Sequence, residues 1–172
     1  MPYPIVAMRH LIAILLQNEA GALTRVTGLI SSRGYNIQSL SVAPTNDPSI
    51  SRITLVTTGS DAVIAQINSQ LQKLVDVVTV EDMTTGDHLA RELALLKLQV
   101  AADQADAASQ VVNRSGGRVL STEPAWIVEV AGTEDVIAEM IATLSAFGEI
   151  VEVVRGGVLG ISRGGRRAPT AR

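Results

Sequence analysis

The 172-residue chain has no cysteine, only two histidines and 2% aromatic residues. Without cysteine there is no disulfide framework, no thiolate nucleophile and no Cys-based zinc or iron–sulfur site. His10 and His88 stand far apart, in no spacing that resembles a metal or triad motif. The expectation is a chain with no catalytic residue and no metal of its own. So few aromatics leave little for base stacking, and a net charge of -3 has the wrong sign for a nucleic-acid partner. No run of about 18 apolar residues exists to span a membrane. The opening MPYPIVAMRHLIAILLQNEAG has no basic region ahead of its apolar stretch and no small-residue cleavage site, so it does not read as an export signal. A cytoplasmic protein without membrane contact is expected.

What is present is a 47% apolar fraction, enough for packed cores. Residues 10–16 are apolar at both parities, as in a central strand covered on both faces. At 22–32 the period changes: Leu23, Val26, Leu29 and Ile30 recur at helical spacing, and Gly34 supplies a C-terminal stop. Strands at 35–44 and 52–57 follow, joined by the turn-forming Pro44 to Ser49 stretch. Asp61 is expected to cap a second helix with Ile64, Ile67, Leu71 and Leu74 on one stripe, and residues 75–81 read as a closing strand.

After a break at 84–88 the same order restarts. A strand at 93–100, a helix at 103–115 (Ala108, Val111, Val112), and strands at 118–121 and 125–131 precede a helix capped by Thr133. Its Val136, Ile137, Met140, Ile141 and Leu144 are expected to point inward, and 150–154 closes the unit. The reading is α+β, two tandem ferredoxin-like βαββαβ domains, against the alternative of one larger helix-and-sheet sandwich. The expected boundaries are 1–82, a linker at 83–90, a second domain at 91–160 and a basic flexible tail at 161–172, where the sequence carries arginines and no acid.

The second strand falls at a sheet edge, with Ile37, Leu40 and Val42 and no lysine to protect it, so edge-to-edge pairing into a homodimer is expected. The turn at Asn18 to Leu23 leads into a helix start whose leading N–H groups attract an anion, such as a free carboxylate. Gly21 would let a ligand approach the backbone. Asn18 offers donor and acceptor to the ammonium and carboxylate of an amino acid, and Asn36 could do so from the neighbouring chain. Each asparagine alone is most often a cap or turn residue. The pattern by itself supports a dimeric α+β protein with an anion-accepting turn.

The series NEAGALTRV at 18–26, RGYNIQSL at 33–40, VAPT at 42–45, SRIT at 51–54, QLQKLVDV at 70–77, RELALLK at 91–97, IVEV at 150–153 and RGGVLGISRG at 155–164 resembles the regulatory (small) subunits of acetohydroxyacid synthase, or acetolactate synthase, whose first domain is an ACT domain. The match covers nearly the whole chain. The resemblance implies a non-catalytic subunit that binds and activates the large catalytic subunit and confers feedback inhibition by valine or another branched-chain amino acid. Thiamine diphosphate, magnesium and FAD would belong to the catalytic partner. The implied effector site uses Asn18, Gly21, Ala22 and Leu23 of one chain with Asn36 and Ile37 of the other: N–H groups near Gly21 to Leu23 for the carboxylate, the asparagines for polar atoms, Leu23 and Ile37 for the branched side chain. Ile37 and Asn36 have opposite strand parity, so a bend near Tyr35 or contact through the Ile37 backbone is needed. Many ACT domains carry proline where Ala20 stands. Residues 1–8 match no recognised family element. The competing readings are an amino-acid-binding transcriptional or RNA regulator, favoured only by the arginine tail, and a stand-alone enzyme using His88 beside Asp87.

Overall fold

A computed structural model of the chain describes residues 8–164. The segment 1–7 and the terminal arginines Arg166, Arg167 and Arg172 lie outside the described residues. The described chain forms two compact units, one containing residues up to Leu89 together with those from Val158 onward, the other running from Ala90 to Gly157.

The first unit begins with β1 (Met8–Gln17), α1 (Ala22–Ser32), β2 (Ile37–Pro44), β3 (Ile50–Gly59), α2 (Asp61–Leu71) and β4 (Val77–Asp82). Its antiparallel sheet has the order β2-β3-β1-β4. Period-two burial puts Ile12, Ile14 and Leu16 of β1 against Val26 and Ile30 of α1 and Ile64, Ile67 and Leu71 of α2. The opposite face of β1 is buried too, as its double-parity pattern requires. Part of that cover comes from the far end of the chain: Val158 and Gly160 are buried, and a Cβ on Gly160 would lie 3.0 Å from Leu11 Cδ2 and 2.6 Å from Met83 Cε.

The α1 helix ends in a Schellman arrangement, with Gly34 at φ 74°, its N–H donating to the Ser31 carbonyl (3.0 Å) and that of Tyr35 to Ile30 (3.4 Å). In the second helix Asp61 is the first helical residue rather than the cap; Ser60 holds the cap position and makes no side-chain cap bond. Asp61 lies instead with Oδ1 3.6 Å from Nε2 of the buried His10. Leu74 follows the end of α2 and reaches the core from the connecting turn. The closing strand starts at Val77, two residues later than the apolar pattern places it. Val75 is 85% exposed, because Asp76 occupies the buried position beside it.

The second unit contains β5 (His88–Val100) from Ala90 onward, α3 (Ala105–Arg114) after a short 3-10 turn, β6 (Arg118–Ser121), β7 (Trp126–Gly132), α4 (Glu134–Leu144) and β8 (Gly148–Arg155). The sheet path is β6-β7-β5-β8, and Ala94, Leu96 and Leu98 of β5 meet Ala108 and Val112 of α3 and Ile137, Met140 and Leu144 of α4. The same Schellman geometry recurs at Gly116, whose N–H bonds to Asn113 while that of Gly117 bonds to Val112. Thr133 caps α4 through its Oγ1 and the Val136 N–H. Val136, expected inward, is partly exposed, with its side chain turned onto Gly132, where a Cβ would come within 2.7 Å of it. Both units are therefore βαββαβ, and the fold is α+β with tandem ferredoxin-like architecture.

The 83–90 stretch carries structure of its own. Met83 is buried, its N–H donating to Leu11 O, and β5 already starts at His88. The last described strand, β9 (Leu159–Ser162), belongs with the first unit, where the Val158 N–H donates to Ser39 Oγ and Arg52 to Gly160 O. Residues 161 and 162 of the expected tail end this strand.

Candidate functional site

Between β1 and α1 the chain reverses in a few residues. The Ala22 N–H donates to Glu19 O at 3.2 Å, and Gly21 sits at φ 88°, ψ -14°. No residue other than glycine has positive φ among the described residues, so Ala20 lies in the negative-φ half and the reversal is a type II turn with glycine at its third position. Proline is favoured at the second position of that turn, which is where Ala20 stands. Gly21 is thus demanded by backbone conformation.

Asn18 is engaged twice with the β2–β3 hairpin. Its backbone N–H donates to Ser49 O at 2.7 Å and its side-chain amide to Pro48 O at 2.9 Å. These bonds hold the glycine turn beside the far end of β2 and leave Oδ1 as the acceptor the amide can still offer. The start of α1 has no side-chain cap and no acid in its first turn, so the N–H groups of Leu23 and Thr24 are without intrahelical acceptors. Leu23 is partly exposed, whereas Ala22 is buried and presents only its backbone.

The space beside Gly21 is bordered by a cation that the local sequence gave no reason to single out. A Cβ at Gly21 would lie 3.2 Å from Arg25 Nη1. Arg25 is fixed by Asp76: Nη2 donates to Oδ1 at 2.9 Å and Nε to Oδ2. This hydrogen-bonded pairing raises the guanidinium pKa and holds the Asp76 carboxyl below the usual carboxylate range. Asp76 is buried and also accepts the Gln17 N–H through its carbonyl. The pair joins residues 51 positions apart, so no periodicity or short motif reveals it.

Asn36 and Ile37 stand elsewhere in the unit. Asn36 is exposed and precedes β2, with its carbonyl accepting from Thr57 Oγ1 at 2.8 Å. Ile37 opens the strand opposite Thr57, packs partly on the core, and is followed by a register irregularity before Ser39. The parity conflict is thereby relieved, since Asn36 lies outside the regular strand. Thr57 pairs with His10, and Ile50 with Gln17, so Asn36 and the glycine turn are at opposite ends of the sheet, roughly 20 Å apart at about 3.3 Å per residue. One chain brings Asn18, Gly21, Ala22 and Leu23 together. It does not bring Asn36 or Ile37 to them.

The second unit lacks this turn. Its matching helix is entered through Ala102–Gln104 with no positive-φ glycine, and Asp103 and Asp106 lie at the entrance. Among the described residues no group of three or more His, Asp or Glu is placed to hold a metal, and no helix is long and apolar enough to cross a membrane. The His88 Nδ1 is 2.8 Å from the Gly86 carbonyl, and Asp87 lies 3.7 Å from Arg163.

Residues 12–79, the βαββαβ unit whose first helix opens on the glycine turn, match the family described as AHAS small subunit-like ACT domain. Residues 91–164 match the family described as small subunit of acetolactate synthase. The chain belongs to the acetolactate synthase small-subunit family. It is 44% identical to the acetolactate synthase isozyme 3 small subunits of Salmonella typhimurium and Escherichia coli, over 91% of this chain and 97% of each relative. The crystal structure of the small subunit from Thermotoga maritima superposes with a TM-score of 0.82 at 28% identity, covering 92% of this chain and 99% of that one.

Proposed function

We propose that this chain is the regulatory subunit of an acetohydroxyacid synthase: it binds the large catalytic subunit, raises its activity and makes it sensitive to feedback inhibition by a branched-chain amino acid, valine foremost. The catalytic partner carries thiamine diphosphate, magnesium and FAD and works in the cytoplasm, while this chain contributes no catalytic residue. Membership in the small-subunit family carries the reading.

The effector site is formed by two chains. The N–H groups at Gly21 to Leu23 receive the carboxylate, the Asn18 and Asn36 side chains hold polar atoms, and Leu23 and Ile37 meet the branched side chain. The separation of Asn36 from Gly21 along the sheet supports the two-chain composition, because a free amino acid is far too short to reach both ends of one sheet. Edge strand β2 runs from Ile37 to Pro44, toward the end where Asn18 holds the hairpin. Two-fold antiparallel pairing of two β2 edges brings the start of one beside the end of the other, and so brings a partner's Asn36 toward this turn. The second unit transmits the effector signal.

The test is to add the purified chain to an acetolactate synthase catalytic subunit and to measure acetolactate formation with and without valine. Stimulation that valine reverses supports the reading; a rate unaffected by the chain overturns it.

A further inference from the structure

The Gly21 turn has a charged neighbour whose orientation is fixed from below. Asp76 is 4% exposed and spends both carboxylate oxygens on Nε and Nη2 of Arg25, in the side-on, two-bond geometry that sets the plane of a guanidinium. Arg25 itself is about half exposed. Its third nitrogen, Nη1, is turned to Gly21, where a Cβ would lie 3.2 Å from it. A guanidinium held only for stability has no need to direct its remaining edge at a turn whose helix-start donors lack a side-chain cap. Replacing glycine there by any residue with a side chain would fill the gap between Nη1 and the turn.

We propose that Arg25, positioned by Asp76, is the selectivity-determining group that makes this turn take ligands with a free carboxylate. The inference rests on the effector reading above and deepens it. Backbone N–H groups donate to a carboxylate or an amide oxygen with modest preference, whereas a guanidinium edge beside the turn adds a charge-assisted bond that only the ionised group completes. Asp76 acts one step removed, as a positioning residue. It keeps Nη1 on the Gly21 side and prevents the long side chain from swinging into solvent.

Calorimetry on the full chain with valine and with valinamide, which replaces the carboxylate by an uncharged amide, reads this selectivity. The wild type is expected to bind valine at least roughly 10-fold more tightly than valinamide, the scale of one hydrogen bond to a charged group. Arg25→Gln should weaken valine roughly 10-fold and bring the two ligands to near-equal affinity, while Arg25→Lys retains part of the preference. Asp76→Asn should lower the ratio with Arg25 still in place. An Arg25→Gln chain that is folded and keeps the wild-type ratio overturns the inference and leaves the effector reading intact; a wild type that binds neither ligand overturns the effector reading first. Should the variants fail to fold, the Arg25 Nε–H resonance of the wild type decides: a shift with valine and none with valinamide supports the inference, and no shift at saturating valine overturns it.

Discussion

Asp76 is buried beneath a guanidinium that remains half in solvent, that of Arg25, and both of its carboxylate oxygens are engaged by it. The pairing holds the Asp76 carboxyl below its ordinary value of 3.8. A group depressed on folding contributes stability that is present above the unfolded pKa and lost as pH falls through the folded one. The thermal unfolding temperature of the wild type should therefore fall as pH drops through and below 3.8, because the unfolded chain takes up the proton first. Asp76→Asn should be less stable than wild type at neutral pH and show a shallower acid loss. Parallel curves for the two proteins would mean that the pair contributes nothing.

Gly21→Asp should abolish feedback by valine while leaving association with the catalytic subunit. The substitution places a carboxylate at the point where the ligand's own would sit, within reach of Arg25 Nη1. Positive φ makes any side chain costly here, about 1–2 kcal/mol, so Gly21→Asn is the matched control: it shares the strain and lacks the charge. Inhibition assays on the reconstituted enzyme should find Asn less damaging than Asp. Full valine sensitivity in Gly21→Asp would remove this turn from the site.

Asn36→Ala should weaken valine binding even though Asn36 stands roughly 20 Å from the Gly21 turn of its own chain. The expected loss is about 1 kcal/mol, one hydrogen bond, measured by calorimetry, with sedimentation giving a dimer at micromolar concentration. Unchanged affinity strikes Asn36 from the site, and a monomeric wild type that still binds valine refutes the shared-site reading altogether.

In the second unit, Glu92 is buried and accepts from Arg155 and from the Gly157 N–H at 3.1 Å. This pairing with Glu92 raises the Arg155 pKa. The two partners are not equivalent, because Arg155 reaches solvent and lies 3.8 Å from Glu134. Arg155→Met leaves a buried carboxylate without its cation and should cost roughly 3 kcal/mol in denaturant unfolding. Glu92→Gln leaves an arginine that water can solvate and should cost about 1 kcal/mol. The reverse order would mean that Glu92 is solvated by some other route.

Much of the architecture was legible because local rules and tertiary needs agree. The apolar spacing of Val26 and Ile30, closed by Gly34, gives α1 the same ends in sequence and in space. The double-parity burial of β1 and the edge position of β2 follow from hydrophobic pattern in the same way. Misplacements occur where a side chain answers to a distant partner. Val75 looks like the first residue of an apolar strand, yet it is left in solvent because Asp76 turns in to meet Arg25. Asp61 has the composition of a cap and instead starts α2 near His10. Met83 reads as the start of a linker until its side chain is seen buried against Gly160.

The sequence alone determined the two βαββαβ units, the glycine turn at Gly21 and the family series that runs through both units, because periodicity, turn chemistry and short motifs are properties of neighbouring residues. Only the tertiary structure decided that Asn36 and Gly21 stand at opposite ends of one sheet, that Asp76 holds Arg25 beside the turn, and that the chain returns at Val158 to complete the first unit. Those relations join residues far apart in the chain. They are fixed by strand register and by the need of a buried carboxylate for a cation, and neither leaves a local mark.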